Sequence, residues 1–241
     1  MKRHVNNPNL SLVEGTQWRG LPLLPQHRPY VNEYLKSIDL TFAEAIASQA
    51  RLCVIRFDLR FPAVSQVYGP GVIARFFHRL QREIDLDQRQ RPRPHPCKIR
   101  YIWAAERNSS ERRHYHVAVF LNKDAYHGVG LLPEWRSDNS QRLYHARGLG
   151  HCIVRAWAHA LGVEPYEVVG CVHFPHNGSY HISRNKPDFD ANVLAAFQRL
   201  TYLAKAHTKE YGQGYRSFGC SQRVTPMSVQ INNFLQPCPI A

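Results

Sequence analysis

Two neighbouring segments decide the fold: Lys98-Ile-Arg-Tyr-Ile-Trp-Ala-Ala-Glu106 and His114-Tyr-His-Val-Ala-Val-Phe-Leu121. Both are short runs rich in aromatic and β-branched residues, which is typical of strands. The loop between them, Arg107-Asn-Ser-Ser-Glu-Arg-Arg113, is polar and only seven residues long. A connection this short joins antiparallel strands. The two segments therefore predict a β-hairpin.

Outward from this hairpin, helices and strands are interspersed along the chain. We predict helices over 30–48, 71–84, 151–161 and 190–207, a half-buried strand over 52–61, and a second hairpin from 168–174 and 179–183 around Asn177-Gly178. Residues 87–97 contain three prolines and three arginines and predict a basic loop. This order predicts an α+β fold, with a central antiparallel sheet and flanking helices.

A chain of 241 residues is long enough for one domain with terminal appendages. We predict an irregular N-terminal arm up to about residue 28, which together with the first helix makes up segment 1–49. The main domain is predicted over 50–222, and a C-terminal tail that lies on the domain over 223–241.

The composition indicates a folded, basic protein. Hydrophobic residues make up 44% of the chain, which is too many for a disordered one. The 31 lysines and arginines exceed the 18 acidic residues by 13. Such a charge favours a polyanionic partner, and nucleic acid is the commonest.

Several locations and site types are disfavoured. The basic start of the chain is not followed by an apolar run, so a signal peptide is not expected. No stretch approaches 18 apolar residues, so no membrane span or membrane partner is expected. The six cysteines have no C-x-x-C spacing, which argues against a zinc knuckle and a disulfide framework. We expect a protein of the reducing cytoplasm.

His114 and His116 form a candidate pair of metal ligands. Side chains at i and i+2 of a strand lie on the same face, so the two imidazoles project in parallel. Neutral imidazole suits Mn²⁺ and related ions, with carboxylate and water completing the shell. The alternative is that both are ordinary polar positions on a strand.

Glu106 is the candidate third ligand. A symmetric loop between 106 and 114 places Glu106 opposite His114, and paired residues in an antiparallel ladder share a face. A register slip of one residue would turn Glu106 to the other face. With this register, we predict a site for Mg²⁺ or Mn²⁺ on Glu106, His114 and His116.

Tyr202-Leu-Ala-Lys205, on the last predicted helix, places a phenol beside an ammonium, because residues at i and i+3 are neighbours on a helix. Tyr202, Lys205 and Lys209 fall on the stripe opposite the apolar one. Tyr202 is therefore not an obvious core residue, although an ordinary amphipathic helix with a solvent-facing tyrosine would give the same pattern.

Taken in order, these elements resemble the HUH endonucleases, which nick single-stranded DNA to start rolling-circle replication. The closer resemblance is to the replication initiators of inoviruses and related prophages, the YagK/YfjJ-type domain, over roughly residues 50–222. The segments that carry it are Tyr101-Ile-Trp-Ala-Ala-Glu106, Arg113-His-Tyr-His-Val-Ala-Val-Phe-Leu-Asn122, Val172-His-Phe174, Tyr202-Leu-Ala-Lys205 and Phe218-Gly-Cys-Ser221. Tyr115 departs from the usual aliphatic residue between the histidines, but strand alternation sends it into the core.

The resemblance implies an RRM-like HUH palm and a metal-dependent DNA nicking and joining endonuclease. Tyr202 would be the nucleophile, assisted by Lys205, and would form a 5′-phosphotyrosyl intermediate. The substrate would be single-stranded or hairpin origin DNA in the cytoplasm of a bacterial host, and host helicase and polymerase would be partners.

Basic residues around the first hairpin are candidate contacts with the DNA backbone. The predicted set is Arg89, Arg91, Arg93, Lys98, Arg100, Arg107, Arg112 and Arg113, with Lys209 on the last helix.

Other functions remain as alternatives. A transposase or mobilisation relaxase would use the same chemistry, and a non-catalytic basic DNA-binding protein would explain the charge and the fold. Metal-dependent deubiquitinase-type peptidases share the Glu and His-x-His pattern, but they require a Ser-x-x-Asp where this chain has Ser137-Asp-Asn-Ser140. Histidine-triad hydrolases need a third alternating histidine where this chain has Ala118.

Overall fold

The computed structural model describes residues 2–63, 68–107, 113–130, 147–209, 211–212, 214–222 and 229–236. The helices are α1 Asn32–Ser48, α2 Val72–Arg89, α3 Leu149–Leu161, α4 Pro165–Val168 and α5 Phe189–Leu200. The strands are β1 Arg3–His4, β2 Asn7–Val13, β3 Gln17–Trp18, β4 Leu21–Pro22, β5 Tyr30–Val31, β6 Arg51–Arg60, β7 Arg100–Arg107, β8 Arg113–Asn122, β9 Val172–His173, β10 Ser179–Ser183 and β11 Phe218–Cys220. Short 3₁₀ turns cover Pro25–His27, Val169–Cys171, Thr201–Ala204 and Ile231–Asn233.

A central antiparallel sheet organises the chain, as predicted. Its strand order is β10-β6-β8-β7-β11, and β9 also pairs with β6. The hairpin of β7 and β8 has the predicted register, with Glu106 opposite His114. The fold is therefore α+β with flanking helices. Among the described helices, none is both long and apolar enough to span a membrane.

Helices cover both faces of this sheet. The face formed by Phe57, Val117 and neighbouring residues packs against α2 and α3 around the fully buried Trp157. The opposite face, which includes Phe120, packs against α1 and α5. The prediction that β6 is half-buried is therefore wrong, because its polar face is buried as well. Only β6's two end residues are exposed.

The prediction of an irregular N-terminal arm is also wrong. Strands β1, β2 and β5 form a small antiparallel sheet, and β3 pairs with β4. Trp18 and Leu23 are buried in the core beside α1 and α5, and the Trp18 indole donates a hydrogen bond to the Asn32 side chain. The apolar residues of this segment follow no helix or strand period, because contacts with α1 and α5 bury them.

The second predicted hairpin does not form. β9 and β10 both run antiparallel to the same strand, β6, and lie one after the other along its edge. Gly178, part of the Asn-Gly turn signal, approaches β6 closely, and its carbonyl accepts a hydrogen bond from the Arg56 amide. A Cβ at position 178 would lie 3.0 Å from the Arg56 carbonyl oxygen. The glycine therefore permits a close approach to β6.

The C-terminal part of the domain adds one strand that the sequence did not predict. This strand, β11, pairs with β7 and forms one edge of the sheet. Within the predicted tail, the described residues 229–236 lie on the body, as expected. Ile231 is fully buried there, and its amide donates a hydrogen bond to the Asp39 carboxylate.

Candidate active site

The predicted metal ligands meet at one end of the sheet, on the face that packs against α1 and α5. The register of β7 and β8 brings Glu106 beside His114, and His116 follows on the same face. Glu106 and His116 are buried, whereas His114 is partly exposed. The three side chains that the sequence predicted as one cluster therefore form one.

The ligand atoms of this cluster have a spacing that suits a metal ion. His114 Nε2 and His116 Nε2 are 3.1 Å apart, and His116 Nε2 is 3.1 Å from Glu106 Oε2. Adjacent ligands of an ion with bonds of about 2.1 Å lie about 3 Å apart in octahedral geometry. One atom from each residue lies within 4.8 Å of the others, so the cluster could hold a metal ion.

Asp58 is a functional candidate that the sequence analysis missed. It faces His116 across β6 and β8, and its Oδ1 lies 2.6 Å from His116 Nδ1. A carboxylate on the far nitrogen of a histidine fixes the ring and the proton, which leaves the other nitrogen free to bind a metal. The Arg56 guanidinium lies 3.3 Å from the same Asp58 oxygen. The one signal in the sequence was two ionisable residues, Arg56 and Asp58, inside an apolar strand.

Two lysines hold the carboxylate of Glu106. Lys205 Nζ lies 2.7 Å from Oε2, and Lys209 Nζ lies 2.5 Å from Oε1. Burial opposes ionisation of Glu106, but the hydrogen bond with His116 and the two lysine charges outweigh it, so the pKa of this carboxyl lies well below its ordinary value. Burial lowers the pKa of the Lys209 ammonium to about 8.

The prediction that Lys209 contacts DNA is therefore wrong. Its side chain is fully buried against Glu106 and cannot reach a DNA backbone. The last helix is shorter than the predicted 190–207, because α5 ends at Leu200. Lys209 lies beyond the following turn and folds back towards the sheet.

Tyr202 lies on the 3₁₀ turn Thr201–Ala204 that follows α5. Its hydroxyl accepts a hydrogen bond of 2.8 Å from Lys205, which confirms the predicted pairing of phenol and ammonium. The ring is 4.9 Å from the His116 ring, edge to face, and the Arg56 guanidinium carbon is 4.6 Å from its centroid. Tyr202 is thus directly beside the Glu-His-His cluster.

The N-terminal segment holds this turn in place. The Ala206 amide donates to the Pro29 carbonyl, and Tyr30 forms an isolated antiparallel bridge with Lys205. The His27 ring lies 4.8 Å from the Tyr202 ring. Segment 1–49 therefore contributes to the site.

Comparison with known proteins also includes much of segment 1–49 in the domain. A model of the YagK/YfjJ C-terminal domain matches residues 14–221. The chain belongs to this family. The match begins at residue 14, well before residue 50, where the main domain is predicted to begin.

Two relatives come from Escherichia coli (strain K12). The uncharacterized protein YagK is 33% identical over 209 residues, which are 81% of this chain and 95% of that protein. The uncharacterized protein YfjJ is 28% identical over 209 residues, 80% of this chain and 95% of that protein. No solved structure matches this chain.

The predicted DNA contacts divide between the two ends of the sheet. Arg107 is exposed and Arg113 partly exposed, both at the end that holds the cluster. At about 3.3 Å per residue, Arg100 lies about 20 Å along β7 from Glu106, at the other end. Arg112 lies outside the described residues. The predicted basic stretch is therefore not one continuous approach to the site.

At the far end, some of these residues have structural partners. Arg91 pairs with the buried Asp87, and Arg100 pairs with the buried Glu44. The other three predicted contacts at this end are exposed: Arg89, Arg93 and Lys98. Of the predicted contacts at this end, these three are accessible to a partner.

Other tyrosines near the site have different surroundings. Tyr115 is buried in the core, as strand alternation predicts. Tyr211 accepts a hydrogen bond from the Tyr34 hydroxyl, and Tyr215 lies under the Arg113 guanidinium. Tyr202 differs from these three tyrosines, because its hydroxyl is bound by Lys205, which in turn pairs with Glu106 of the cluster.

Proposed function

We propose that this chain is a metal-dependent endonuclease that nicks and rejoins single-stranded DNA through a covalent bond to Tyr202. One observation carries the proposal. The Tyr202 hydroxyl is linked through a single ammonium, that of Lys205, to Glu106 of the Glu-His-His cluster. A nucleophile, a cation and a candidate metal site thus lie within hydrogen-bonding contact, as attack on a phosphodiester requires.

In the proposed step, the Tyr202 oxygen forms a bond to phosphorus and the bond to the 3′ oxygen of the preceding nucleotide breaks. The phenolic proton is lost to solvent, and the leaving oxygen takes up a proton to give a 3′ hydroxyl. Mg²⁺ or Mn²⁺ on Glu106, His114 and His116 would supply positive charge at the scissile phosphate. Lys205 stabilises negative charge on the tyrosine oxygen.

Because the phosphotyrosyl bond retains the energy of the broken linkage, rejoining needs no nucleotide cofactor. Attack by a 3′ hydroxyl on this bond restores a phosphodiester and frees Tyr202. Such a cycle fits an initiator of rolling-circle replication on single-stranded or hairpin origin DNA. Host helicase and polymerase would then extend the 3′ end in the bacterial cytoplasm.

The test is formation of a covalent adduct. Radiolabelled single-stranded oligonucleotides, tiled across the DNA that flanks the chain's own gene, are incubated with the protein and Mn²⁺. We expect a labelled protein band that survives a denaturing gel. Tyr202→Phe should bind DNA and form no adduct, whereas the matched control Tyr211→Phe should form it.

Three outcomes would contradict different parts of the proposal. An adduct that persists in Tyr202→Phe would assign the nucleophile to another residue. DNA binding without an adduct in the wild type, across all oligonucleotides, would favour a non-catalytic DNA-binding protein. An adduct that forms only at a transposon end or transfer origin would identify a transposase or relaxase.

A further inference from the structure

The candidate metal site carries more positive charge than its ligands suggest. Glu106 contributes one negative charge, and its two oxygens are held by two buried ammonium groups, those of Lys205 and Lys209. One ammonium is enough to neutralise the single negative charge of a carboxylate. The second lysine leaves the cluster with an excess of positive charge.

The neighbouring charges do not remove this excess. Asp58 is the second acidic group at the cluster, and the Arg56 guanidinium lies 3.3 Å from it. This pair cancels, so the carboxylates, lysines and arginine around the cluster together keep a net charge of about +1. The site is therefore poorly suited to a free divalent cation and well suited to an anion.

We infer that the cluster binds its divalent cation tightly only together with a phosphate of the DNA, and that Lys209 is the positioning residue that enforces this order. The inference rests on the proposed function. A phosphate group brings the negative charge that the cation needs, and the cation in turn strengthens DNA binding by the same factor, because linkage is reciprocal.

Mn²⁺ titrations test this in the Tyr202→Phe protein, which cannot cut its DNA. Calorimetry is performed without DNA and with a saturating single-stranded 30-mer of mixed sequence. We expect Mn²⁺ affinity to rise at least about fivefold with DNA. Fluorescence anisotropy with labelled DNA should show that Mn²⁺ raises the DNA affinity of the protein by the same factor. Equal Mn²⁺ affinity with and without DNA overturns the inference.

Lys209→Met separates charge from simple positioning. Removing one ammonium should tighten Mn²⁺ binding to the DNA-free protein and reduce the effect of DNA. The matched control, Lys186→Met, removes an exposed lysine just beyond β10, near the end of β6 opposite Asp58, and should change neither. A folded Lys209→Met protein that binds Mn²⁺ more weakly without DNA would overturn the inference.

If Lys209→Met does not fold, the two linkage factors measured in the Tyr202→Phe protein still decide the matter. Failure of the proposed function has a different signature from failure of this inference. It would show as no Mn²⁺ binding in either state or no covalent adduct, whereas failure of the inference alone leaves the adduct intact and the Mn²⁺ affinity independent of DNA.

Discussion

Replacing Asp58 with asparagine tests whether β6 is part of the site. The carboxylate lies 2.6 Å from His116 Nδ1 and 3.3 Å from the Arg56 guanidinium, and both partners are buried. Asparagine keeps the shape but loses the charge. Loss of such a carboxylate behind a metal-binding histidine typically lowers metal affinity by about 10–100-fold. Leaving the Arg56 charge buried without its partner should also cost about 3 kcal/mol of the free energy of unfolding.

Both effects are measurable in one set of proteins. Calorimetric titration with Mn²⁺ in the presence of single-stranded DNA reports affinity, and urea unfolding followed by circular dichroism reports stability. Asp124→Asn is the matched control, because Asp124 forms a partly exposed ion pair with Arg51 at the opposite end of β6. It should change stability by less than about 1 kcal/mol and leave Mn²⁺ binding unaltered. If Asp58→Asn binds Mn²⁺ as the wild type does, Asp58 does not position His116.

Two further predictions concern the scaffold. Gly219→Ala would place a Cβ 2.7 Å from the Trp103 ring, so urea unfolding should show a loss of about 1–3 kcal/mol, whereas Gly170→Ala, with open space around it, should lose less. Burial opposes ionisation of Asp87, but hydrogen bonds, first of all from Tyr126, and an arginine charge outweigh it and lower its pKa. That stabilisation is present above the ordinary carboxyl pKa of about 4 and is lost as the pH falls towards the lower folded value. Asp87→Asn should therefore flatten the acid limb of a stability curve measured from pH 7 downwards, and an unchanged limb would contradict this assignment.

The hairpin was predictable because its information is local. A seven-residue loop and the alternation of β8 fix which side chains share a face, and the register placed Glu106 opposite His114 as expected. The pairing of Tyr202 with Lys205 was also predicted, although the predicted helix was wrong there. In a 3₁₀ turn, with three residues per turn, residues at i and i+3 still lie one above the other.

The rest of the site could not be predicted because it depends on contacts between distant segments. Lys209 reaches Glu106 only because α5 stops at Leu200 and the chain turns back, and nothing in the sequence period marks that end. Asp58 resembled a polar position on a half-exposed strand. Its burial became visible only once α1 and α5 were known to cover that face.

The pattern of burial within the cluster indicates how a substrate would approach it. Polar groups buried in a sheet covered on both faces are costly unless each has a partner, and Glu106, His116 and Asp58 have theirs in one another and in the neighbouring cations. His114 of the cluster and the neighbouring Tyr202 are partly exposed, and the exposed His173 lies 3.5 Å from Asp58. We expect a phosphate to approach the cluster over Tyr202 and His114, because both side chains are accessible. Such an approach brings it to the proposed nucleophile and to one proposed metal ligand at the same time.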